Sequence, residues 1–97
     1  MIVLHLNCRD LDQPSKKHAL KRLVVTLNLD VILIQEAMSI GDGLVARMKK
    51  LLTSWDFLAY DSRGRSCGLL SGWRAIIFLC TNSWAKDNVL GLILLSL

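Results

Sequence analysis

The chain lacks the cysteine spacing of a zinc site or of a disulfide framework. Its three cysteines, Cys8, Cys67 and Cys80, are odd in number, widely separated and outside any Cys-x-x-Cys or Cys/His pattern. We therefore expect reduced, buried thiols and no disulfide partner, as in a reducing compartment.

A long apolar run is also missing. The first residues, MIVLHLNCRD, have neither the basic segment nor the apolar length of a signal peptide. The apolar stretch at residues 89–97 has about half of the roughly 20 residues that a membrane helix needs. We expect no membrane span and an intracellular protein, nuclear or cytoplasmic.

The sequence contains one proline and has no repeat, low-complexity tract or linker. With 53% hydrophobic and 21% charged residues, it has the composition of a globular protein of one domain at most. The net charge of +4 makes nucleic acid a candidate partner, although a modest basic excess more often serves only solubility.

The first third of the chain predicts a strand–helix–strand unit. Strands are predicted at residues 2–7 and 31–35, the second apolar on both faces. Between them, a helix that starts at Ser15 or Asp12 and stops at Asn28 is indicated by apolar residues at i, i+3, i+4 and i+7: Leu20, Leu23, Val24 and Leu27. Such a unit implies parallel strands and a right-handed crossover.

The rest of the chain predicts one more helix and further strands. The helix is expected at about residues 43–52, and a third strand in WDFLAYDS. RGRSCG is typical of a tight basic loop, and GLLSGWRAIIFLC of one or two strands. A last strand is expected from Val89 onward.

A carboxylate follows the apolar strand at 31–35. Parallel strands end at the same edge of a sheet, so Asn7 and Glu36 should emerge near each other. A carboxylate beside an amide oxygen suits Mg²⁺ and phosphoester chemistry. On this geometry alone, a solvent-facing Glu36 without any ligand is the more frequent outcome, and both interpretations stay open.

Three segments carry a family resemblance: HLNCRDL, KKHALKRLVVTLNLDVILIQE and SRGRSCGLLSGW. They resemble the endonuclease/exonuclease/phosphatase family, which includes DNase I and apurinic endonucleases. The similarity is greatest to the endonuclease domains of plant LINE-type, non-LTR retrotransposons. It implies a partial DNase I-like four-layer α/β sandwich, with residues 1–74 as the N-terminal part of such a domain. Residues 75–97 would be a divergent apolar tail that contains further strands or none.

The resemblance also implies functional residues. Asn7 and Glu36 would be the catalytic, metal-holding pair, with Glu36 the direct ligand of Mg²⁺, or of Mn²⁺ as an alternative. Arg63 and Arg65 would contact nucleic-acid phosphate, although a solvated loop is at least as common for such arginines.

The sequence departs from the family pattern at several positions. Leu6 replaces a Trp, and Asp10 and Cys67 replace glycines. The family's later Gly-Asp-x-Asn and Ser-Asp-His segments are absent, and the two histidines, His5 and His18, are interpreted as structural or solvated. We therefore predict a catalytically incomplete fragment whose exposed sheet allows self-association or aggregation.

Two alternatives remain from the sequence. The first is a noncatalytic nucleic-acid-binding module that uses the basic side chains Lys16, Lys17, Lys21, Arg22, Arg63 and Arg65. The second is a small interaction protein whose C-terminal strand, from Val89, pairs with a partner or lipid surface.

Overall fold

The structure, a computed structural model, describes residues 1–9, 11, 13–35, 41–61, 67–86 and 89–97. Within these residues it contains, in chain order, β1 (Val3–Asn7), α1 (Pro14–Leu27), β2 (Val31–Gln35), α2 (Gly41–Leu51), β3 (Trp55–Asp61), β4 (Cys67–Arg74), β5 (Phe78–Lys86) and β6 (Val89–Ser96). Neither of these two helices is long and apolar enough to cross a membrane.

Four strands form the first sheet, in the order β1-β2-β4-β3. β1 and β2 run parallel, with Val3 opposite Val31 and Asn7 opposite Gln35. β4 is antiparallel to both β2 and β3. The predicted strand–helix–strand unit and its parallel pairing are therefore confirmed, as is the third strand.

The two ends of α1 are stabilised by different means. The helix begins at Pro14, and Gln13 is its N-cap. The prediction that Ser15 caps the helix is therefore wrong. The other predicted cap, Asp12, lies outside the described residues. Proline suits a first helical position, because it lacks an N–H that would have no partner there. At the other end, Asn28 takes a left-handed conformation (φ 52°), and the N–H of Leu29 donates to the Val24 carbonyl at 3.1 Å. The predicted stop at Asn28 is confirmed.

One face of the first sheet, here called the helix face, packs against α1 and α2. Its buried core is formed by side chains from both helices, three strands and the connections between them, among them Leu20, Val24, Ile32, Ile34, Leu44, Met48, Phe57 and Leu70. Gly72 is required here, because a Cβ would lie 2.5 Å from the Phe57 ring. The apolar stripe of α1 is narrower than predicted, since Leu23 and Leu27 are 38% and 46% exposed.

The opposite face of the first sheet is here called the cleft face, after a cleft described below. It carries the side chains that alternate along each strand with those of the helix face. Its central residues, Val31, Ser71 and Trp73, are buried. The indole Nε1 of Trp73 is buried and has no hydrogen-bond partner within the described part of the chain. Toward one edge this face is polar and exposed, with the side chains of His5, Asn7 and Gln35.

Asp30 fixes the edge of the sheet where β1 and β2 begin. Its Oδ2 accepts a hydrogen bond from the Ile2 N–H at 2.8 Å, and its own N–H donates to the Ile2 carbonyl at 2.9 Å. The Arg74 N–H donates to the Asp30 carbonyl at 3.0 Å, and the Arg74 guanidinium lies 3.6 Å from Oδ1. One residue thus ties the start of β1 and the end of β4 to β2.

β5 and β6 form an antiparallel hairpin, which is a second, two-stranded sheet. The hairpin confirms the prediction of a strand from Val89 onward. The Trp84 indole lies over Gly91, where a Cβ would come within 2.1 Å of the ring. One side of the hairpin, here called its outer side, exposes large apolar residues: Leu79, Trp84, Val89, Ile93 and Leu95. Cys8 and Cys80 are free thiols.

Candidate functional site

The carboxyl ends of β1 and β2 bring two amide side chains together. Asn7 is opposite Gln35 in the parallel register, and both are exposed. The Cys8 N–H donates to the Gln35 carbonyl at 3.1 Å, which extends the pairing one residue past β1. Asn7 therefore lies beside the residue that immediately precedes Glu36. Glu36 itself, the predicted direct metal ligand, lies outside the described residues.

His5 lies at the same edge of the sheet. The sequence predicts only a structural or solvated histidine there. Two residues before Asn7 on a strand, it lies on the same face, about 7 Å away along the backbone. It lines a cleft of about 260 Å³ between the first sheet and the start of β6, together with Leu33, Ile34, Gln35, Leu69, Leu70, Ser71, Val89 and Leu90. The i, i+2 spacing of His5 and Asn7 in a predicted strand could have revealed that they share a face, but not that His5 lines the cleft.

The side chains at this edge of the sheet offer oxygen atoms as possible metal ligands. The Asn7 and Gln35 amides each offer one carbonyl oxygen, and a carboxylate follows directly in the sequence. In the part of the chain that the structure describes, no three His, Cys, Asp or Glu side chains lie where they could together hold a metal ion. Amide and carboxylate oxygens are suitable ligands for Mg²⁺, which takes few protein ligands. They suit Zn²⁺ less well, because Zn²⁺ prefers nitrogen and sulfur ligands.

The two arginines that are predicted to contact phosphate lie outside the described residues. β4 begins at the edge that contains Asn7, because Leu69 pairs with Gln35 on the neighbouring strand. Arg63 and Arg65 belong to the segment that precedes β4, and that segment lies outside the described residues. Their contact with phosphate stays a prediction, as does the basic loop.

Comparisons with known proteins bear on the fold. No family model and no curated protein matches the chain. Among solved structures, it is similar to an endonuclease/exonuclease/phosphatase family protein from Bacteroides thetaiotaomicron, with a TM-score of 0.61 and 17% identity over 84% of this chain and 33% of that one. The chain has a partial DNase I-like fold. It is also similar to a functionally unknown conserved protein from Enterococcus faecalis V583, with a TM-score of 0.60 and 20% identity over 87% of this chain and 35% of that one.

The DNase I-like fold confirms the predicted fold class. The chain spans about a third of the length of these two structures. At such identities the similarity establishes the architecture, whereas activity has to be argued from the residues at the site. The finer likeness to plant LINE-type retrotransposon domains stays a prediction, as does the division of the chain at residue 74.

Proposed function

We propose that this chain is the N-terminal part of a Mg²⁺-dependent phosphodiesterase domain of the DNA endonuclease type. The observation that supports it best is the parallel register of β1 and β2, with Asn7 opposite Gln35, one residue before Glu36. A DNase I-like architecture in the same residues adds support.

In this proposal Asn7 and Glu36 hold the ion. Asn7 would supply an amide oxygen and Glu36 a carboxylate, and Mg²⁺ bound by so few protein ligands would leave room for water and substrate phosphate. When bound, Mg²⁺ polarises a phosphoryl oxygen of the substrate and offsets charge that develops there. Mn²⁺ would be the alternative ion, because the same hard oxygen ligands suit both ions.

We further propose that this chain by itself turns over substrate negligibly. The sequence lacks the later Asp and His segments that the resemblance implies for activating the nucleophile and stabilising the phosphate. Each absent group costs a factor of about 10² to 10⁴ in rate. His5, the histidine that lines the cleft, lies on β1 and does not match that later motif.

The substrate class rests on the same resemblance. LINE-type endonucleases nick DNA, and the three similar segments lie between residue 5 and residue 73. We therefore propose that the complete domain acts on DNA, as the endonucleases of plant LINE-type retrotransposons do.

Metal binding is tested first, because it does not require turnover. Mn²⁺ titrated into the ¹⁵N-labelled protein should broaden the amide signals of Asn7 and Cys8 before others, and Glu36→Gln should abolish this effect. Asp56→Asn is the matched control, since Asp56 is an exposed carboxylate on β3 paired with Lys49 at 3.7 Å. Equal broadening in wild type and Glu36→Gln would contradict the metal site.

Turnover is tested by nicking of supercoiled plasmid in Mg²⁺, with an EDTA blank. We expect no nicking above the level of Glu36→Ala. Nicking that disappears in Glu36→Ala would show that the chain is catalytically competent, and the proposed incompleteness would be wrong.

A further inference from the structure

The two helices carry most of the positive charge of the protein. α1 and α2 contain seven of the twelve Lys and Arg residues and one of the eight Asp and Glu residues. The helices therefore have a net charge of +6 and the rest of the chain a net charge of −2. The charge is concentrated on the side of the first sheet that faces away from the cleft.

A groove between the helices gathers part of this charge. It has a volume of about 310 Å³ and is lined by Pro14, Lys17 and His18 of α1 and by Arg47, Lys50 and Leu51 of α2. Among the described residues, all four ionisable side chains of this lining are bases.

The groove continues along α1. A second cleft, of about 370 Å³, shares Leu51 with the first and is lined further along by Lys21 of α1 and by Arg74, whose guanidinium is paired with Asp30 at 3.6 Å. Lys17 and Lys21 are one helical turn apart, about 6 Å along the axis. Positive side chains thus recur along a concave path, which suits a chain of phosphates better than a single anion.

We propose that the groove between α1 and α2, defined by Lys17, His18, Arg47 and Lys50, binds the phosphate backbone of a nucleic acid. This surface is separate from the proposed metal site, because the helices cover one face of the first sheet and the side chains of Asn7 and His5 lie on the other. A concave basic groove is complementary in charge and shape to a polynucleotide strand, whereas a planar lipid surface meets convex or flat surfaces.

Two double variants with equal charge change test the proposal. Lys17→Gln/Lys50→Gln removes two charges from the groove, and Lys49→Gln/Lys86→Gln removes two elsewhere. Lys49 is adjacent to Lys50 on α2 and does not line the groove as described, and Lys86 is on the hairpin. Binding of a short fluorescein-labelled duplex DNA is followed by anisotropy, in EDTA, from about 50 to about 200 mM salt. Thermal unfolding confirms that each variant is folded.

The groove variant should bind about tenfold or more weakly than wild type, and its slope of log K against log salt should be smaller by about 1.8. The control should change affinity less than threefold. Equal losses in both variants would show diffuse attraction and overturn the groove, as would absence of duplex binding by the wild type at low salt. Loss of binding to phosphatidylserine vesicles, with duplex binding unchanged in the groove variant, would assign the surface to membranes and also overturn the proposal.

Discussion

The two faces of the first sheet differ in what covers them and in what they can do. The helix face is covered by α1 and α2 and contains a continuous apolar core, in which Ile32, Leu44 and Met48 are fully buried. The cleft face is partly covered by the β5–β6 hairpin and ends in exposed polar residues, His5, Asn7 and Gln35. Alternation along the same strands therefore places apolar core residues on one side and exposed polar residues at the edge of the other.

This difference indicates where substitutions are tolerated. On the helix face a smaller side chain leaves a cavity that rigid helices and strands cannot fill, so stability falls steeply. At the polar edge of the cleft face, His5, Asn7 and Gln35 are already in contact with water, so their replacement changes stability little. A site that must admit metal and substrate is compatible only with the second situation.

The largest effect is expected from Ile32→Ala. Ile32 is fully buried on the helix face, so truncation should lower the free energy of unfolding by about 2 to 5 kcal/mol. The adjacent Leu33 is half-buried on the cleft face, and Leu33→Ala should cost less than half as much. Urea denaturation measures both. Equal losses of unfolding free energy in Ile32→Ala and Leu33→Ala would mean that the two faces are packed alike.

Asp30→Ala should have the next largest effect. The substitution leaves the Ile2 N–H and the Arg74 guanidinium without their carboxylate partner, at a cost of about 1 to 3 kcal/mol. Asp56→Ala is the control, because an exposed pair such as Asp56 and Lys49 contributes about 0 to 1 kcal/mol. Thermal or urea unfolding compares the two variants, and a smaller loss for Asp30→Ala than for Asp56→Ala would contradict its role in tying β1 and β4 to β2.

The sequence was most informative where the pattern is local. The apolar run before Gln35 predicted β2 to the residue, and Asn28 marked the end of α1, because both signals depend on neighbours in the chain. The start of α1 was mispredicted, because Ser15 is a favoured N-cap residue by type, whereas Pro14 occupies the first helical position.

Features that depend on distant residues were beyond sequence reasoning. Asp30 was not recognised as a structural residue, because its partners Ile2 and Arg74 are 28 and 44 positions away. Asn7 was placed correctly at the edge of the sheet, since parallel pairing follows from the strand–helix–strand unit. The position of His5 at the cleft depends on β6, which no local pattern brings next to β1.

His5→Ala should change stability by less than about 0.5 kcal/mol, because His5 is exposed on the cleft face. Its imidazole nevertheless reports on the proposed metal site, being about 7 Å along the strand from Asn7. Mn²⁺ should broaden the ring proton signals of His5 in the wild type and leave those of His18, on α1, sharp. Equal broadening of both rings would contradict the assignment of the metal to the cleft face.

The smallest effect on stability is expected on the outer side of the hairpin, where the predicted self-association can be tested. Leu95 is 54% exposed, so Leu95→Lys should alter the free energy of unfolding by less than about 0.5 kcal/mol. It should nevertheless reduce concentration-dependent association in sedimentation velocity, because it places a charge within a contiguous apolar surface on a two-stranded sheet. Ser96→Lys adds the same charge at the next residue, which alternation directs to the other side of β6. If both variants reduce association equally, net charge and not the apolar surface governs it.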